Sequence, residues 1–230
     1  MNEDNDASEL ADAPFARLSR AALLALGCHL VAGLSMALIL RHGLETNSDL
    51  KSRLEFVAER RNLWIAGWFT WNVAAASIVY FYHSFHVAHS KARYAGALRL
   101  ALVFSGAGLA ADLSAEAIEM GVLPEVAALA LQESPPAAGA FLLLHRAAVM
   151  LTGYLGNGLY SVAALILAWS SRGAYPGWVS LSGLTTGIAG LSLCVAALYN
   201  SVEGLFWTNA VLVPCLLLWL GGIARVDGRR

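Results

Sequence analysis

Asp112, Glu116 and Glu119 recur at spacings of four and three in the stretch Leu98 to Val122, which is otherwise built of apolar and small residues. At about 100° per residue the three carboxylates fall within about 60° of one another, so a helix carries them on one face, together with Ser105 and Gly108. No charge lies between Arg99 and Asp112, which places Asp112 as an acid inside a membrane. There a carboxylate costs on the order of 3 kcal/mol on insertion scales and needs a partner, a proton or a water-filled cavity. A desolvated acid without a cation beside it is suited to proton exchange, and several acids together are suited to holding a cation.

His145 and Arg146 open a fourth apolar run, and Asn157 lies further along it on the face of Arg146. Asn72 and Asn209 sit inside two other runs. Arg146 opposite Glu116 and Glu119 has two readings: an ion pair that fixes how two helices meet, or the cationic wall of a pocket. The asparagines are likewise either interhelical hydrogen-bonding groups or pocket lining. The site expectation joins Asp112, Glu116, Glu119, Arg146, Asn157, Asn72, Asn209 and His145 in a polar pocket opening outward. Its ligand would be a small polar or cationic solute, or a lipid headgroup.

His83, His86 and His89 are three apart, which fans them over about 120° of a helix and lets two face one ligand. They precede Lys91, Arg93 and Arg99, so solvation at a membrane boundary accounts for them as well as a metal does. His83, His86 and His145 are the metal candidates, and no HExxH spacing supports them. A b-type haem needs histidines on two helices at matching depth, and His29 lies about 12 Å deeper than His83 at helical rise. Cys28, Cys194 and Cys215 sit in apolar runs without CxxC spacing and read as small hydrophobes. There is no phosphate loop or nucleophile elbow, and no cofactor is expected.

The elements that must position these residues follow from composition. Of 230 residues 58% are hydrophobic and 13% charged, too apolar for a soluble domain, and the net charge of −1 with scattered arginines gives no nucleic-acid surface. At about 20 residues per crossing the chain holds six spans, expected near 21–40, 63–82, 98–121, 142–169, 178–199 and 205–223. The expected fold is therefore all-α: a polytopic integral membrane protein with six transmembrane helices in a bundle over residues 15–225. An acidic tail over 1–14 is expected to be disordered, and 226–230 form a basic tail. Leu50, Leu54 and Val57 mark an amphipathic helix before the second span, and Leu123 to Leu131 another after the third, bounded by Pro124 and by Pro135 and Pro136. Gly183 and Gly187 form a GxxxG pair that lets a backbone come close, in this chain, in a second copy or in a membrane partner. Pro214 should kink the sixth span. Arg17, Arg20, Lys91, Arg93, Arg99, Arg172, Arg225, Arg229 and Arg230 share one side of a six-span arrangement, so both termini are expected to be cytoplasmic.

The stretch from Leu54 to Tyr82, with Leu63, Trp64, Gly67, Trp68 and Trp71 leading into an alanine-rich run, resembles small six-span bacterial membrane proteins of unknown function. That resemblance implies a bacterial inner-membrane location and a six-helix fold. The histidine and acid arrangement is also similar to that of intramembrane hydrolases related to alkaline ceramidases, although paired histidines on the final span are absent. Three functions follow: binding or movement of a solute through the pocket, an accessory subunit of a membrane complex, and an intramembrane metal-dependent hydrolase.

Overall fold

The computed structural model describes residues 3–90, 93–132 and 135–225, and of these the side chains from residue 13 onward, Pro135 apart. The described chain is built of helices joined by short turns and loops: α1 (Glu3–Leu38), α2 (Leu50–Glu59), α3 (Arg61–Ala88), α4 (Ala95–Ala117), α5 (Leu123–Leu131), α6 (Pro135–Val149), α7 (Asn157–Ser170), α8 (Gly177–Leu198) and α9 (Val202–Arg225). A short 3₁₀ turn, Leu40–His42, follows α1. Two π-helical turns, Ile118–Val122 and Met150–Gly156, join α4 to α5 and α6 to α7 without ending either rod. Six segments are long and apolar enough to cross a membrane: Ala13–His42, Arg61–Ala88, Ala95–Leu131, Pro136–Ser170, Gly177–Leu198 and Val202–Arg225. α9 passes through Pro214 as one helix. Backbone from Glu3 onward is helical and continuous with the first span. Residues 1–2, Lys91 and the basic tail over 226–230 lie outside the described residues.

Contacts at the two ends of the bundle fix how the rods run. At one end Ser19 Oγ donates to Ala224 O at 2.7 Å, and the His89 ring meets Phe15 edge-on. There too the Tyr175 hydroxyl bonds His89 Nε2 at 3.2 Å. The start of the first span, the end of the last and both intervening turns of that side are thus neighbours, and both chain ends emerge together. At the other end Trp64 Nε1 donates to Glu119 O at 2.7 Å, and Arg61 pairs with Glu125 at 2.6 Å.

Two apolar cores divide the length of the bundle. Near the chain ends Phe81, Tyr82, Phe85, Leu167, Trp219 and Leu220 interlock, with Phe81 and Trp219 rings edge-to-face at 5.5 Å. Such pairs add about 1 kcal/mol beyond the area they bury. At the far end Leu40, Leu54, Val57, Trp64, Leu123 and Phe141 form the second core. It draws α2 and α5 onto the spans, which is why the apolar faces of these short helices are buried instead of lying on lipid. Small residues set the spacing elsewhere. A Cβ at Gly183 would come within 2.8 Å of the Trp219 indole and 2.9 Å of Ala168, and one at Gly187 would strike Leu165. The GxxxG face is therefore taken up inside this chain, between α7, α8 and α9.

Candidate functional site

α4 contributes Leu98 and Ala101 to one apolar core, and Leu123, which opens α5 beyond the π-helical turn, belongs to the other. The acids occupy the section between. Asp112, Glu116 and Glu119 are 7%, 3% and 1% exposed, so all three face into the bundle as their spacing requires. One oxygen of each, Asp112 Oδ1, Glu116 Oε2 and Glu119 Oε2, is buried without a hydrogen-bond partner. Among the described residues neither Asp112 nor Glu116 forms a salt bridge.

Asp112 rests on the second π-helical turn. A Cβ at Gly156 would clash with Asp112 Oδ1, and the Leu151 carbonyl oxygen would lie 3.3 Å from that Cβ. The carboxylate therefore needs glycine there, and it shares that hollow with a backbone acceptor. The buried Tyr160 hydroxyl, like Asp112 Oδ1, is left without a hydrogen-bond partner. A π-helical turn widens the helix and exposes carbonyls that an α-helix would pair. Asn157 answers this locally, donating from Nδ2 to Thr152 O at 3.0 Å.

Glu119 belongs to the other π-helical turn and has a different set of partners. His145 Nδ1 bonds its Oε1 at 2.8 Å, and on the opposite side of the ring Nε2 lies 3.0 Å from Glu45 Oε2. The second contact is an ionic approach out of line for a good hydrogen bond. His145 is 2% exposed and stacks on Phe141, with ring centroids 6.2 Å apart and an interplanar angle of 11°. Arg53, on the buried side of α2, donates from Nε to Gly43 O at 3.1 Å and lays its guanidinium over Phe141 at 5.7 Å. Burial alone would raise the Glu45 carboxyl. The close approach of His145, helped by Arg53, overcomes this and holds it below the ordinary carboxylate value. Burial lowers the Arg53 guanidinium, against the pull of Glu45 and Glu119.

The expected residues separate into three groups. Asp112, Glu116, Glu119 and His145 are inside the bundle. Arg146 is not the partner of the glutamates: its Nη2 donates to Ala197 O at 2.6 Å and Leu198 O at 3.2 Å, which caps the last carbonyls of α8. Asn209 is exposed and bonds Leu205 O of its own helix at 3.0 Å, so it lines no pocket. Asn72 is half-buried, with Nδ2 3.9 Å from Met120 Sδ, and Asn157 serves its own turn. His83 is exposed and His86 half-buried at the end of the bundle away from His145. Among the described residues no three His, Cys, Asp or Glu side chains come together as a metal site. The two carboxylates beside His145 approach opposite ring nitrogens, so one ion does not reach all three groups.

Comparison of the chain with protein-family models, with curated proteins and with solved structures gave no match. The site therefore stands on its own geometry. Sequence reasoning missed Glu45, Arg53, Trp64 and Tyr160 as neighbours of the acids. Arg53 had a signal, since it lies three residues after Leu50 and four before Val57 and so shares their apolar face. Glu45, in a loop, had none.

Proposed function

We propose that the chain is an integral protein of a bacterial inner membrane, with both termini cytoplasmic, whose row of buried carboxylates binds or moves a small cationic solute entering from the outer end. One observation carries this reading: Asp112 and Glu116 each keep a buried carboxylate oxygen without a hydrogen-bond partner, and neither acid is in a salt bridge. Unpaired buried acids at membrane depth are expensive unless a cation or a proton satisfies them. The Leu151 carbonyl oxygen beside Asp112 is an acceptor as well, which suits a cation over an anion.

The orientation rests on charge. Arg17, Arg20, Arg93, Arg99, Arg172 and Arg225 belong to the end where both termini emerge, as cytoplasmic loops require. At the far end Arg41, Lys51, Arg53, Arg60 and Arg61 are interleaved with Glu45, Asp49, Glu55 and Glu59. The bacterial inner membrane follows from the sequence resemblance.

The test is charge movement in liposomes carrying the purified protein, read with a potential-sensitive dye under imposed gradients of Na⁺, K⁺, methylammonium or protons. The reading predicts a response to at least one cation that Asp112→Asn abolishes and Glu116→Gln weakens. A wild-type protein no different from empty liposomes under every gradient overturns it.

A further inference from the structure

Above the Asp112 and Glu116 pair, at the outer end, Glu45, His145 and Glu119 form a chain in which each ring nitrogen faces a carboxylate, at 3.0 Å from Nε2 and 2.8 Å from Nδ1. Exposure falls along it. The Glu45 side chain is 25% exposed, while those of His145 and Glu119 are 2% exposed. One end of the chain meets outer water and the other lies inside the bundle. A carboxylate only accepts hydrogen bonds, and a neutral imidazole has one donor and one acceptor nitrogen. With a neutral ring and two carboxylates, one of the two contacts sets acceptor against acceptor. One added proton puts a hydrogen on both ring nitrogens, bonding Glu119 and forming an ion pair with Glu45. The group is therefore built to hold a mobile proton between an accessible oxygen and a buried one.

The charged neighbours are consistent with this task. On α2, Arg53 has a free Nη2 and lies on the Phe141 ring that stacks against His145. On α6, the Arg146 guanidinium is engaged with the α8 carbonyls. On α4, Glu116 and Asp112 continue inward from Glu119, about 4.5 Å and then about 6 Å further along the helix.

We propose that the cation reaching Asp112 is the proton, and that Glu45, His145 and Glu119 relay it from the outer surface. This rests on the cation-binding reading above and names its solute. In the relay a proton from water adds to Glu45 Oε2. Its O–H bond breaks as an N–H bond forms at His145 Nε2, and the Nδ1–H bond breaks as that proton passes to Glu119 Oε1. One proton enters and one leaves. The ring stays neutral, with its hydrogen moved from Nδ1 to Nε2.

The experiment uses the full chain in liposomes with a trapped pH dye and a K⁺ diffusion potential set by valinomycin. Wild type should acidify the lumen, and His145→Ala should slow this on the order of tenfold or more, the usual scale for losing a proton-transfer group. Added imidazole should restore part of the His145→Ala flux, which a merely structural histidine would not allow. Glu45→Gln, in a partly exposed loop, provides the second variant where His145→Ala does not fold, and should slow the flux severalfold. Wild-type flux equal to that of empty liposomes, alongside a potential response to Na⁺, K⁺ or methylammonium, overturns the proton assignment and leaves the cation reading intact. Undiminished flux in both variants overturns the relay. No response to any cation removes both.

Discussion

Gly156→Ala probes the seat of Asp112 most sharply. The added methyl would clash with Asp112 Oδ1, lying 3.2 Å from its Cγ and 3.3 Å from Leu151 O. Asp112 is short and 7% exposed, so its carboxylate has no solvent-side rotamer to retreat to. Overpacking of this kind costs about 1–3 kcal/mol, and the better helix propensity of alanine returns about 1 kcal/mol. The net loss is about 0–2 kcal/mol, and the informative quantity is the coupling. In an Asp112→Ala background the clash disappears, so Gly156→Ala should become neutral or stabilising, giving a coupling of about 1–3 kcal/mol. Gly106→Ala is the control, because a Cβ there meets nothing within 4 Å. Unfolding of the detergent-solubilised protein by sodium dodecyl sulfate, followed by tryptophan fluorescence, supplies the four corners of the cycle. Additivity within about 0.5 kcal/mol, or a Gly156→Ala protein as stable as Gly106→Ala, would refute the packing of Asp112 onto the π-helical turn.

Three further outcomes are expected from the same unfolding assay. Trp64→Phe deletes the donor that reaches Glu119 O at 2.7 Å and leaves a buried carbonyl short of a partner, so it should cost about 1–3 kcal/mol. Arg146→Met removes the cap on the α8 carbonyls and should cost about 1–2 kcal/mol, additively with Glu116→Gln; a coupling between the two would restore the ion pair that the structure replaces. Glu45 is held below its ordinary value of 4.5, so its contribution is present above that pH and is lost as pH falls through the lower folded value. Glu45→Gln should therefore be less stable than wild type at pH 7, by about 1 kcal/mol or less given its partial exposure. The difference should shrink below pH 4.5, and a gap that stays constant down to pH 3 would contradict the assignment.

Much of the architecture was legible because a bilayer constrains sequence more severely than water does. Unbroken apolar runs announce six segments long and apolar enough to cross a membrane, and Leu50, Leu54 and Val57, like Leu123 to Leu131, announce the two short helices between them. The shared face of Asp112, Glu116 and Glu119 survived a π-helical turn at Ile118–Val122 that periodicity does not reveal. Partner choice was less legible. Arg146 was matched to the glutamates by charge and depth, whereas the chain offered it the unpaired carbonyls closing α8, which no residue type advertises. Asn209 lies on the outside because helix rotation is decided by packing against α8. The true partner of Glu119 came from the adjacent residue, His145, and from Glu45 in a loop that composition cannot aim.

The central claim is that Asp112 is a buried acid that takes up a cation or a proton, and infrared difference spectroscopy of the membrane-reconstituted protein addresses it directly. A step in pH or in cation concentration should produce a carboxyl carbonyl-stretch change that is present in wild type and missing from Asp112→Asn. A difference spectrum identical in wild type and Asp112→Asn would contradict the account.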